Sequence, residues 1–557
     1  MTFAELVACA LAQRGVTDIF GIPGAVLLDF LYVAADKSVR PRISYNEQAA
    51  AFAACGFAQA AGYGCAFATK GPGATNLLTG MADAYCEGAR VLFVTAHSGR
   101  QACDGRRLAT NQEVDVVAMA SPVTLVSERA DTVDEAVDAL MRALAAMDAP
   151  RGGPALLDIH ASLWSSDVPE PVPDVAPAQP VCGDAAELDA LVRDFVDAAT
   201  RPVVLVGQGA RTADMRDARA YLSSLGAPIV CSRPALDIVC GLPLAYGYVG
   251  SRGTRAANRV LAHATHLLVL GNRMGFPDAS PSFRPLVDNV GILRLDADAR
   301  ELERSFGGQV RECDLRAFFS AVDVSFATDA HAEWLAACDQ LSAACAGADV
   351  TQPVADLMRL LEGLDEDCVL SVDIGNNSHW LSIAAFELGL PCRQLHSHSF
   401  GALGSALGRA IGAALAGAPH VVCTMGDQGF QMNSQELQLV HDLRLPITIV
   451  VMNNHTSGMI RDRQLDRDGF LLTTSDSGYG VPDLCALAAA YGLAYARAHD
   501  LTGGSGPALT RDAAPLVVEI SVDGTIEAQP NLPPGAPLDQ QTPPLEQGTG
   551  SCFTQVR

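Results

Sequence analysis

The stretch Val421-Val422-Cys423-Thr424-Met425-Gly426-Asp427-Gln428-Gly429 decides the fold. It opens as an apolar strand and ends in a glycine-flanked carboxylate. A helical pattern follows over 434–443, then a second apolar strand over 447–452 that stops at Asn453-Asn454. Strand, helix, strand is the repeating unit of a parallel sheet. Neighbouring parallel strands would bring Asp427 and Asn454 together at their carboxyl ends, where ligands of open α/β sheets bind. A carboxylate and an amide oxygen are hard ligands suited to Mg²⁺. The glycines would let backbone N–H groups approach a diphosphate at a helix N-terminus. A Gly-Asp-x-Gly standing alone is as readily a turn; the Asn-Asn pair closing the next strand weighs against that.

The same alternation runs along the chain. Apolar runs at 91–95, 155–158, 203–206, 267–270, 292–295 and 369–372 alternate with helical stretches such as 132–147 and 185–199. This predicts an α/β protein with mainly parallel sheets flanked by helices. The proline- and acid-rich segment 165–184 reads as a linker. An Ala-rich helix within 328–352 marks a second break. Three domains follow, 1–165, 185–327 and 352–530, the outer two being candidates for a shared architecture. The Pro-, Gln- and Gly-rich tail 531–557 is predicted to be extended or mobile.

Composition narrows the function. The chain has 557 residues, 49% apolar and 18% charged, which excludes disorder for most of it. A net charge of −25 argues against general binding to nucleic acid or anionic membrane. Lys37 and Lys70 are the only lysines, so Schiff-base chemistry has almost no candidates. The 16 cysteines form no C-x-x-C pair, which argues against a zinc site and suggests mostly small core residues. With no signal-peptide pattern and no apolar run long enough to span a bilayer, the expected location is the reduced cytoplasm.

A second signal lies in the first domain. Ile43-Ser44-Tyr45-Asn46-Glu47-Gln48-Ala49-Ala50 sets a lone glutamate between a short strand and a helix rich in Ala and Gly. Such a carboxylate either answers the helix dipole or performs chemistry. Downstream, Gly71-Pro72-Gly73-Ala74-Thr75-Asn76 is a glycine-rich turn into a helix.

Together these three segments resemble, in order and spacing, the thiamine-diphosphate enzymes of the acetolactate (acetohydroxyacid) synthase type. The resemblance runs through essentially the whole chain. It implies a pyrimidine-binding first domain, a middle domain, a diphosphate-binding third domain, and an active site shared between two subunits of a homodimer or homotetramer. It matches Glu47 to the glutamate that hydrogen-bonds the cofactor's pyrimidine ring, so that the cofactor can form its nucleophilic ylid. Asp427, Asn454 and Thr456 match the metal ligands. Gly24, Asn76, Gly375, Asn376, Gly401, Leu403, Gly426, Gln428, Gly429 and Met459 match cofactor-binding positions, Leu403 as the aliphatic wedge and Asn376 where relatives often have Gln. Gln112 resembles a glutamine that hydrogen-bonds intermediates, although a solvated loop glutamine reads the same. His97, His379, His396 and His398 receive no catalytic role.

Other positions depart from the family. Ala25 replaces the second glycine after Pro23, and Asn111 replaces an aromatic residue. Ala161 stands for a lysine, and Arg463 for the tryptophan that shapes the acceptor pocket. Gln428 stands for a glycine, acceptable only where φ is negative. Ala25, Asn111 and Arg463 are therefore candidate substrate residues, and a guanidinium at 463 suits a polar acceptor. In the middle domain, Gly207-Gln208-Gly209-Ala210-Arg211, Gly250-Ser251-Arg252-Gly253-Thr254 and Gly271-Asn272-Arg273 resemble FAD-binding segments. The flavin-specific arginine segment is poorly kept, which leaves FAD an open third cofactor. The expected activity is thiamine-diphosphate- and Mg²⁺-dependent decarboxylation of a small-molecule 2-oxo acid, pyruvate first, with ligation to an acceptor carbonyl. The alternatives are a decarboxylase without ligation and a noncatalytic regulatory or scaffold paralogue.

Overall fold

A computed structural model describes residues 1–99, 111–171, 174–177, 185–211, 215–474, 478–502 and 507–545. Three sheets of six parallel strands carry the chain. In spatial order the first is Arg40–Ile43, Asp18–Ile22, Gly64–Ala68, Val91–His97, Ala155–His160 and Val126–Ala130. The third is Arg393–His396, Val369–Val372, Val421–Gly426, Ile447–Asn453, Leu516–Ser521 and Ala494–Arg497. Numbered within each sheet, both run 2-1-3-4-6-5, so the outer sheets share one topology. The middle sheet runs Gln309–Glu312, Gly291–Asp296, His266–Leu270, Pro202–Val206, Ile229–Cys231 and Ala245–Tyr248, the doubly wound order of dinucleotide-binding folds. Central strands such as Val421–Gly426 and Ile447–Asn453 are almost wholly buried, as apolar runs covered on both faces should be.

The first and third sheets are joined by one continuous apolar cluster that includes Phe20, Ala53, Phe57, Leu407, Ile411 and Ile449. At its centre the helices Glu47–Ala61 and Ser405–Leu415 cross backbone to backbone. A Cβ on Gly56 would overlap the Arg409 carbonyl, and one on Gly412 would overlap that of Ala53. Arg409 and Asp83, both fully buried, pair across the same seam.

One expectation, a mobile tail, is corrected. The tail does not stand free: Leu532 and Leu538 are buried in the middle-domain cluster, and Leu532 N–H donates to Ser251 O at 2.7 Å. Its segment 546–557 lies outside the described residues. The linker segment after the first sheet is partly docked while still joining the domains, with Val168 and Val175 buried and Thr2 bridged to Asp167. Proline-rich chain carries no periodicity of its own, so its order comes from the surface it docks on.

Candidate active site

The site forms at the carboxyl edge of the third sheet, where its strand order reverses. Val421–Gly426 pairs in parallel with Ile447–Asn453, Gly426 opposite Met452. Asp427 and Asn454 therefore leave adjacent strands at the same level, and both line one cavity of about 210 Å³. Gly375, Asn376, Leu403 and Gly426 line it too, as do Gln428, Gly429, Thr456 and Met459. Gln428 lies in the helix Asp427–Met432 and takes no positive φ, so its side chain is tolerated there. A Cβ added at Gly375 or Gly426 would meet nothing within 4 Å, which leaves both backbones open to a ligand. Gly401, by contrast, is not among the lining residues.

Asp427 is buried, and burial raises its carboxyl above the usual range. Its Oδ1 accepts from Tyr479 OH at 2.6 Å and from Gln428 N–H at 2.7 Å, while Oδ2 is buried with no hydrogen-bond partner. A buried carboxylate oxygen left in this state fits a cation. The connecting residue His455 takes φ 52°, a left-handed conformation uncommon outside glycine. It turns the chain so that Asn454 and Thr456 both face the cavity. Among the described residues no three His, Cys, Asp or Glu side chains gather as a metal site. The Asp427 set relies on amide and backbone oxygens instead.

Asn376 is held by two neighbours. Its Oδ1 accepts from Arg252 Nη1 at 3.1 Å, and its Nδ2 donates to Asp462 Oδ2 at 3.1 Å. Each end of the amide makes one bond, which fixes its plane and leaves one lone pair and one N–H toward the cavity that Asn376 lines.

Glu47 opens its helix, capped by Asn46, and is buried at 7% exposure. Asn76 Nδ2 donates to Glu47 Oε2 at 2.9 Å. Gly73 lies against the other oxygen, since a Cβ there would sit 3.0 Å from Glu47 Oε1. Gly24 packs on Thr69, just before the glycine turn. Gln112 is exposed with φ 58°, and its backbone lies against Gly71. Ala25, Asn111 and Arg463 are exposed. The residues lining the third-domain cavity include none of these first-domain groups.

Three residues of the site escaped the sequence reading. Tyr479 orients Asp427. Glu436 Oε1 accepts from Tyr45 N–H at 2.9 Å and Asn46 N–H at 3.1 Å, tying the Glu47 loop to the third domain. Lys70 Nζ bonds Ser98 Oγ at 2.6 Å and Glu113 Oε1 at 3.1 Å, pinning the Gln112 segment. No local pattern announces any of them.

In the middle sheet, Gly207 packs against Gly271, where a Cβ would overlap the Gly271 carbonyl. Arg211 is paired with Asp237 at 2.6 Å and Pro234 O at 2.9 Å, and buried Arg294 bonds the carbonyls of Asn272, Arg273 and Arg304. Most of these groups are met within the domain, although Arg294 Nε is buried with no partner.

The chain matches three family models in succession. They are the N-terminal TPP binding domain of thiamine pyrophosphate enzymes over 1–119, the central domain over 190–318, and the C-terminal TPP binding domain over 373–520. It is 29% identical to the acetolactate synthase isozyme 2 large subunit of Escherichia coli (strain K12), across 96% of this chain and 98% of that protein. It is 28% identical to a probable acetolactate synthase large subunit of Methanocaldococcus jannaschii, across 98% and 96%. It is 26% identical to the acetolactate synthase large subunit of Lactococcus lactis, across 96% and 95%. With all three domains present in the family's order, and a carboxyl-edge site to match, the chain belongs to the thiamine pyrophosphate enzymes of the acetolactate synthase-like type.

Proposed function

We propose that this protein decarboxylates a 2-oxo acid and ligates the resulting acyl unit to an acceptor carbonyl, using thiamine diphosphate with Mg²⁺. The observation that carries the metal is the unpartnered Asp427 Oδ2, facing a cavity shared with Asn454 and Thr456. When bound, thiamine diphosphate supplies the nucleophilic carbon and the electron sink for CO₂ loss and carbon–carbon bond formation.

The chain's own residues then divide the remaining work. Asp427, Asn454 and Thr456 hold the cation, which neutralises the diphosphate. The open backbones of Gly375 and Gly426 hold the phosphoryl oxygens. Leu403, against Gly429, presents an apolar wall. Glu47 Oε1 holds a proton at the pyrimidine ring, with Asn76 fixing the carboxylate plane through Oε2. Gln112, anchored beside Gly71, orients the acyl unit.

Glu47 is not among the residues that line the third-domain cavity, and exposed apolar side chains occur near both. Exposed Ile43 and Tyr45 precede Glu47 in the chain, and exposed Ile460 lines the cavity. This supports a homo-oligomer in which a second copy completes each site. Exposed Arg463, with Asn111 and Ala25, favours a polar acceptor over a second pyruvate. FAD is left out of the proposal because Arg211 is held by Asp237 and Pro234 and Gly207 is packed on Gly271; the visible flavin spectrum of the purified protein tests this. The proposed setting is the cytoplasm.

The test is incubation with thiamine diphosphate, Mg²⁺ and pyruvate, following products by proton NMR. Acetolactate supports the ligation and assigns pyruvate as acceptor. Acetaldehyde alone, unchanged when sugar aldehydes and ketones are added, assigns a non-ligating decarboxylase. Inactivity of cofactor-loaded protein toward a panel of 2-oxo acids points to the noncatalytic paralogue.

A further inference from the structure

A cluster between the second and third sheets is left unused by the proposed reaction. Arg233 follows the strand Ile229–Cys231 and is 9% exposed. Its Nη1 donates to Ser378 Oγ at 3.1 Å and to the His379 ring at 2.9 Å, and its Nη2 to His398 Nδ1 at 3.0 Å. Exposed Arg273 stands at the rim, its Nη2 2.6 Å from Ser399 Oγ. Among the described residues, no carboxylate bonds Arg233, Arg273, His379 or His398.

That balance is unusual. A buried guanidinium is ordinarily paired with an acid, because an unmet charge is costly away from water. Burial, reinforced by Arg252, lowers Arg233 to about 10. Burial, reinforced by Arg233 and Arg273, pushes His398 down to about 3, and His379 is depressed in the same way. Both rings are therefore neutral acceptors, and the cationic charge meets no counter-charge.

We propose that this crevice binds a small tetrahedral oxyanion, phosphate or the phosphoryl end of a small molecule, at a site separate from the cofactor's diphosphate cradle. Arg233 and Arg273 approach from different segments and meet at the His398-Ser399 pair, Arg233 on His398 and Arg273 on Ser399. Ser378 Oγ already donates to Gly375 O at 2.8 Å, so the donors left are the remaining N–H groups of the two guanidiniums and the Ser399 hydroxyl, a spread that suits three oxygens better than the two of a planar carboxylate. Half-buried His398 and exposed Ser399 and Arg273 give an entrance. The cradle is distinct, because Arg233, Ser378, His379 and His398 do not line the cofactor cavity. The two are nevertheless adjacent: His379 lies in the helix Asn376–Glu387, which begins at that cavity.

The experiment is calorimetric titration of inorganic phosphate into protein saturated with thiamine diphosphate and Mg²⁺, so that the diphosphate cradle is already filled. One saturable site per chain is expected. R233Q and R273Q should each weaken it at least about tenfold, a modest loss for one charge-assisted contact. Arg273 is exposed, so R273Q keeps the test decisive if R233Q does not fold. The proposal is overturned if wild-type protein shows no saturable site, or if R273Q binds phosphate as wild type does. It is equally overturned if the protein purifies with a flavin that R233Q releases, which would assign the cluster to FAD.

Discussion

Asn76 Nδ2 donates to Glu47 Oε2 at 2.9 Å, so the glycine-rich turn and the first residue of the helix Glu47–Ala61 form one unit. One carboxylate oxygen is fixed and the other is presented. Glu47→Gln should therefore lower turnover at least about 100-fold, within the usual range for a lost proton-transfer group. Thiamine diphosphate affinity should change far less. Steady-state rates beside a cofactor titration check this, and full turnover in the variant would refute the role of Glu47.

Tyr479 should matter through Asp427. Its hydroxyl occupies Oδ1 and leaves Oδ2 without a partner, open to the proposed Mg²⁺. Tyr479→Phe is expected to weaken Mg²⁺ about 10- to 100-fold, the usual effect of losing a partner that orients a ligand. Asp427→Ala should abolish metal-dependent cofactor binding. The Mg²⁺ dependence of thiamine diphosphate binding reads both.

Glu436 holds the loop before Glu47 by two backbone N–H groups. Glu436→Ala would strand both donors at a cost of about 1–3 kcal/mol each. Turnover should fall even where the variant stays folded, and Glu436→Gln, which keeps an acceptor, should restore most of it.

Three buried carboxyls give the fold a pH signature. Burial raises Glu87, Asp373 and Glu436 to about 7. Each is protonated in the folded chain at pH values where the unfolded chain has already ionised. The contribution of these three groups to stability is therefore fully present below the ordinary carboxylate range and is lost as pH rises toward 7. Glu87 Oε1 accepts the Ser399 and Phe400 N–H groups, a role an amide oxygen can keep. Glu87→Gln should flatten the fall of Tm between about pH 5 and 7; an unchanged slope would count against the raised value.

The seam between the outer domains tolerates no added bulk. Gly412→Ala would drive a methyl into the Ala53 carbonyl. A destabilisation of about 1–3 kcal/mol is expected, read from the urea midpoint.

What could be read from the sequence was local. Asp427 and Asn454 were legible because each ends an apolar strand, and adjacent parallel strands place such ends together. Gln428 could be judged from φ alone. What could not be read depended on packing between distant segments. Nothing near Asn46 names Glu436 as its partner, and nothing near Asn376 announces that Arg252 and Asp462 will occupy its amide. The tail was misread for a related reason: Leu532 and Leu538 lack periodicity and gain their order from the middle domain they cover.

The interlocking glycines of the two crossing helices also bear on how the chain could be divided. The seam joins first and third domains through Gly56, Gly408 and Gly412, where a Cβ on Gly408 would lie 2.8 Å from Phe52 Cβ. Its specificity comes from complementary shape and the Arg409–Asp83 pair, neither of which requires a covalent connection between the domains. A polypeptide cut within 178–184 and expressed as two fragments should reassemble through that seam, making the protein a natural split reporter.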